Sequence, residues 1–192
     1  MKRLLILLFA CCLLLTACGQ STAKTAIDKR LLEAQGKSQT EIVKLLGLTA
    51  KDLEPGSDSV YRKEFTWFGE PFTTQLQVTE EFYGAHLETV GDADFCQRVV
   101  TGLTEQLGSI EAGSLYGESL PDVFIDVDPG KEFLALRDFL NNEALTRLFL
   151  LFSCDSRDLQ IRCYIYSNPD TPDLYGVSIF LDDGKFNYAS SR

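Results

Sequence analysis

The residue types that could carry chemistry are few. His86 is the single histidine of the 192-residue chain, so any Ser-His-Asp or Cys-His relay would have to pass through it. There is no GxSxG elbow around a serine, and no serine or cysteine stands beside His86 in sequence. The spacing suits a polar-face position on a strand better than a catalytic base. GxGxxG and GxxxxGKS/T are both missing, which leaves phosphate cradles without support. The run Asp126-Val127-Asp128-Pro129-Gly130-Lys131-Glu132 starts like a calcium loop. It lacks an acid at the fifth position and a glycine at the sixth, so it reads as a solvated acidic turn ahead of a helix. No two cysteines sit at CxxC spacing, and with one histidine there is no zinc set. Neither a metal nor another cofactor is expected.

Composition narrows the partners. Eighteen Lys plus Arg against 28 Asp plus Glu give a net charge of −10. An acidic chain does not supply the basic footprint that nucleic acid requires, and it does not hold anionic lipid headgroups by charge.

Lys2 and Arg3 precede an apolar run from Leu4 to Leu15, which is too short for a membrane span and has the layout of a targeting segment. It ends in Leu15-Thr16-Ala17-Cys18, followed by Gly19. That tetrapeptide resembles the lipobox of bacterial lipoprotein precursors. The resemblance implies cleavage before Cys18, diacylation of its thiol, and attachment to the outer side of the cell membrane. Two acyl chains suffice for stable anchoring, at about 0.8 kcal/mol per buried CH₂. The alternative is an ordinary cleaved signal with a coincidental cysteine. Residues 1–17 carry two positive charges and no acid, so residues 18–192 have a charge of −12. Residues 18–22 hold the acylated cysteine and a tether that reaches only about 15 Å when extended. Cys11 and Cys12 depart with the signal, which leaves Cys96, Cys154 and Cys163 as thiols, an odd number. Outside the cytoplasm a disulfide is permitted. Cys96 with Cys163 or with Cys154 is open, and so are buried free thiols acting as small apolar groups.

The elements that must position these residues follow from periodicity. Residues 24–35 carry Ile27, Leu31 and Leu32 at helical spacing. Ser38 with Glu41 forms a capping-box pattern ahead of a second helix that ends at Gly47. Residues 60–68, 73–78 and 82–90 alternate like strands, with 69–72 as the first turn. Residues 92–107 form the clearest helix, 109–128 are mostly loop with Val123, Ile125 and Val127 as a short extra strand, and 129–142 form another helix. Strands at 147–153, 159–166 and 174–181 close the chain. The expected fold is α+β: tandem ααβββ units, 23–90 and 91–192, with helices packed on antiparallel β-meanders.

A second resemblance attaches to Gly36-Lys37-Ser38-Gln39-Thr40-Glu41-Ile42-Val43-Lys44-Leu45-Leu46-Gly47. It looks like the helical motif of the small lipoproteins of outer-membrane assembly and the β-lactamase-inhibitory-protein repeats, although Thr49 stands where that motif usually has proline. It implies helix-pair-on-sheet repeats that bind proteins instead of catalysing reactions.

Register arithmetic then assigns faces. In the first meander Phe68 opposes Thr73 and Thr66 opposes Gln75, which places Phe65, Trp67, Leu76 and Leu87 inward and Arg62, Glu64, Gln75, His86 and Glu88 outward. In the second, Cys154 opposes Leu159 and Leu150 opposes Cys163. This puts Cys154 and Cys163 about 13 Å apart, too far for a bridge that needs Cα atoms within about 7 Å. The inward face is aliphatic. The outward face bears Phe149, Leu151, Arg162, Tyr164, Tyr166 and Phe180, a composition typical of protein-binding hot spots. It is either open to an envelope or extracellular partner or covered by residues 109–128 or by the other half of the chain. The expected function is a non-enzymatic, membrane-anchored protein-binding module. The rival is an envelope hydrolase or small-ligand-binding lipoprotein, which would need a deep pocket with converging polar groups.

Overall fold

Residues 26–80, 83–108, 110–117, 120–125, 132–154, 159–168 and 170–182 are described in a computed structural model of the protein. The predicted lipid attachment site Cys18 and the acidic run 126–131 lie outside them. Alternating apolar side chains draw the chain into eight strands: β1 (Val60–Trp67), β2 (Glu70–Val78), β3 (Tyr83–Gly91), β4 (Ala112–Gly117), β5 (Leu120–Ile125), β6 (Arg147–Cys154), β7 (Leu159–Ser167) and β8 (Tyr175–Asp182). All eight join one sheet in the order β1-β2-β3-β8-β7-β6-β4-β5, and every neighbouring pair is antiparallel.

This overturns the expected tandem ααβββ units. The two meanders are stitched edge to edge through β3 and β8, in a register that runs from Ala85 opposite Leu181 to Gly91 opposite Tyr175. The segment expected to be mostly loop forms the β4–β5 hairpin, so helix and helix are not consecutive in the second half. Val123 and Ile125 do lie on β5. The hairpin escaped detection because β4 reads Ala-Gly-Ser-Leu-Tyr-Gly, with little apolar alternation, and β5 contains Pro121. Proline is tolerated there because β5 is an edge strand, with hydrogen-bonding demands on one side only.

Four helices feed the core: α1 (Lys29–Glu33), α2 (Gln39–Leu46), α3 (Ala93–Leu107) and α4 (Glu132–Leu140). Helix α2 starts at Ser38 with the capping box to Glu41 and stops at Gly47 in the left-handed conformation. Helix α3 is capped by Asp92, whose carboxylate accepts from Phe95 N at 2.7 Å. Leu31, Leu32, Ile42, Leu46, Phe95, Val99, Val100, Leu103, Leu136 and Phe139 are buried in one cluster with the inward residues of the sheet. Each such side chain contributes about 1.5–3 kcal/mol through burial. Among the described residues no helix is long and apolar enough to cross a membrane.

The β1–β2 turn differs from the expected 69–72. It is the pair Phe68-Gly69, both with positive φ, 53° and 82°, so that Trp67 opposes Glu70 and Glu64 opposes Thr73. Two consecutive left-handed residues match the right-handed twist of a tight hairpin. A phenylalanine holds one of these strained positions because its ring is completely buried. It packs edge-on to Trp67 at 5.8 Å and to Phe72 at 6.3 Å, and Phe72 reaches Phe95 at 6.0 Å. The pairing is displaced by four residues from the expected one. An even shift preserves the faces, so the inward and outward sets are unchanged.

The second meander pairs as its pattern predicts, with Cys154 opposite Leu159 and Leu150 opposite Cys163. Cys96 on α3 and Cys163 on β7 are both buried free thiols. Burial pushes the Cys96 thiol up to about 12 and Cys163 higher still, so neither is a nucleophile at neutral pH.

Candidate binding face

The outward side chains align in rows across the strands, because residues directly opposite each other on neighbouring strands share a face. One row runs His86, Phe180, Arg162, Leu151; the next runs Glu88, Ser178, Tyr164, Phe149, Ser114; a third runs Val90, Gly176, Tyr166, Arg147, Tyr116. All six residues expected on this face stand on it: Phe149 and Leu151 on β6, Arg162, Tyr164 and Tyr166 on β7, Phe180 on β8. Each is half-buried by its neighbours. The buried positions of the helices belong to the core on the opposite side. Strands β4 and β5 extend the sheet at the β6 edge instead of folding over it.

The rings touch in series. Phe149 lies 5.0 Å from Tyr164, Tyr164 stacks on Tyr166 at 6.1 Å, and Tyr164 meets Phe180 edge-on at 5.6 Å. His86 stacks flat on Phe180, with centroids 4.0 Å apart and planes 8° apart. Arg147 places its guanidinium 4.1 Å over the Tyr116 ring. Arg162 lies 5.9 Å over Phe180 and forms an ion pair with Asp182, which is fully buried. Burial pushes the Tyr164 and Tyr166 phenols up, against the opposing pull of Arg162 and Arg147 on Tyr164 and of Arg147 on Tyr166. Both therefore remain neutral hydroxyls, able to donate and accept.

His86, Glu88 and Tyr116 are the members that periodicity alone did not attach to the patch. Their outward direction is readable for β3, but their neighbours are not, because that requires knowing that β3 pairs with β8 and β4 with β6. Glu88 stands between two groups. Its Oε1 accepts from Ser178 Oγ at 3.4 Å and lies 3.2 Å from His86 Nε2 without forming a hydrogen bond. These are the residue types of a hydrolytic relay in the wrong order, since the imidazole must sit between hydroxyl and carboxylate. Among the described residues no three His, Cys, Asp or Glu side chains are placed to hold a metal ion.

Burial holds the His86 pKa below its ordinary value near 6.5, with Glu88 opposing. The folded protein then binds fewer protons than the unfolded chain below that pH, so stability falls as His86 is forced to charge. The unfolding midpoint should drop as pH is lowered through 6.5, and His86→Phe should flatten that part of the profile. An unchanged slope in the variant would show that other groups set it.

Compared with protein-family models, curated proteins and solved structures, the chain matches none.

Proposed function

We propose that this chain is an extracytoplasmic lipoprotein, held to the membrane by acyl chains on Cys18, that binds another envelope or extracellular protein through the outer face of its sheet. The anchor reading rests on the lipobox residues Leu15-Thr16-Ala17-Cys18. The binding reading rests on one observation, the unbroken ring series His86, Phe180, Tyr164 and Phe149 on the side of the sheet away from the helices. Stacked, half-buried aromatics with arginines on their faces lose little conformational freedom on association and present large desolvatable area. The hollow on this face is open to solvent and lined by Glu88, Val90, Tyr166, Gly176 and Ser178, which suits a protein surface better than an enclosed small molecule.

The test is crosslinking on intact cells followed by identification of what co-purifies. Tyr164→Ala with Tyr166→Ala should reduce recovery of the partner by about tenfold or more while the purified variant still unfolds cooperatively. Undiminished recovery would remove the binding reading. Cys18→Ala should abolish incorporation of labelled palmitate into the protein, and a variant that is still acylated would remove the anchor.

A further inference from the structure

Gly176 stands in the end row of the outer face, second residue of β8, a strand paired on both sides, opposite Val90 of β3 and Tyr166 of β7. Its backbone is not among the positive-φ glycines. A Cβ built there would meet nothing closer than Tyr166 Cδ2 at 3.8 Å, an ordinary contact. Gly91 is the opposite case: a Cβ there would lie 2.2 Å from the Phe95 ring, and packing forbids any side chain. Neither backbone nor packing therefore requires glycine at 176, and glycine inside a strand weakens it. What the missing side chain does create is open floor. With Ser178 it forms the base of a hollow of about 560 Å³, walled by Tyr166 and Val90 and edged by Thr73 and Glu88.

Among the described residues, Glu88 is the single charged one lining this hollow. Its side chain is more than half exposed, and Val90, at 59% exposure, is one of two large apolar residues standing open on the described surface. Among the described residues the nearby cations have partners of their own: Arg62, close enough for its charge to interact with Glu88, pairs with Glu54. Arg147 lies beyond Tyr166 in its row, over Tyr116, and Arg162 pairs with Asp182. A carboxylate beside a tyrosine wall and an apolar rim accepts a cation on a hydrocarbon stem, which gains charge pairing, ring attraction and stem burial together. The sign also agrees with the chain as a whole, which is strongly acidic.

We propose that this hollow is the subsite for a lysine or arginine side chain of the partner protein, with Glu88 as counter-ion, Tyr166 as wall and Gly176 left bare so that the stem can lie on the strand. The proposal rests on the outer face being the binding face and adds the chemistry of what it recognises.

The test uses the full chain, isotopically labelled and purified in a non-ionic detergent, with acetyl-glycyl-lysyl-glycinamide as the probe and the glutamine-centred peptide as control. The lysine peptide should give saturable shifts at the backbone amides of Thr73, Gly176 and Ser178, with affinity about ten-fold above the glutamine peptide. Glu88→Gln should remove most of that difference. Gly176→Val should abolish the shifts while leaving the unfolding midpoint unchanged or higher; if it unfolds, Gly176→Ala and Glu88→Gln, which add little or no bulk, decide the matter. Equal response to the two peptides, indifference to Glu88→Gln, or shifts at these amides from maltose but not from the lysine peptide would each overturn the proposal. Cell crosslinking separates its failure from that of the broader reading. Capture lost in the Tyr164/Tyr166 double variant but retained in Glu88→Gln and Gly176→Val would leave the face and remove the subsite, whereas capture retained in all would remove both.

Discussion

Arg162→Ala should lower the free energy of unfolding, by up to about 3–5 kcal/mol, because it takes the guanidinium away from a buried carboxylate. Asp182 is completely buried, and Arg162, 19% exposed, forms the ion pair that reaches it from β7 across to β8. Breaking such a pair is far worse than never having had it, because the remaining ion keeps its desolvation penalty. A double replacement, Arg162→Leu with Asp182→Leu, should therefore be closer to the native stability than Arg162→Ala alone. Chemical denaturation of the three proteins checks this, and a double variant less stable than the single one would refute it. The result bears on function as well. Arg162 sits in the aromatic face, so a loss of partner binding in Arg162→Ala would confound folding with recognition. Tyr164 and Tyr166, whose hydroxyls and ring edges face outward from an intact sheet, are the cleaner probes.

Phe68 offers a prediction of similar size and less obvious direction. Phe68→Ala should cost about 3–5 kcal/mol, since it empties a buried ring from the cluster with Trp67 and Phe72. Phe68→Gly removes one carbon more, yet should be less damaging than Phe68→Ala by about 1 kcal/mol. The backbone at 68 has φ 53°, where alanine is strained and glycine is not. Paired unfolding curves read the difference directly. If alanine proved the better replacement, the left-handed turn would be wrong, and with it the pairing of Trp67 opposite Glu70.

The same residue explains where the sequence misleads. Gly69 and Pro71 look like the centre of a turn, and phenylalanine looks like the end of a strand. Burial of the Phe68 ring outweighs its backbone preference, and Pro71 joins β2, its carbonyl accepting from Thr89 Oγ1 at 2.9 Å. The faces survive because parity is a local property of each strand. The second meander was legible down to residue pairs, since Leu148, Leu150 and Phe152 alternate against Ile161, Cys163 and Ile165 with no competing turn residues. Sheet assembly was not legible. Nothing in residues 83–91 or 175–182 announces that they are neighbours, because many strands of that composition would pair as well. The outer face was accordingly readable as an aromatic list on β6, β7 and β8, while its carboxylate, its imidazole and its bare glycine floor became visible only once β3 was set beside β8.

That junction has a kinetic consequence. The contact between Ser178 and Glu88 spans 90 residues, so as the chain emerges amino end first, β3 is made long before the strand that seals it. Until residues 175–182 arrive, β3 offers a naked edge of unpaired amides and carbonyls, the kind of template on which other chains polymerise. Closing so distant a pairing is slow. Truncations that stop short of residue 175 should accumulate as insoluble material.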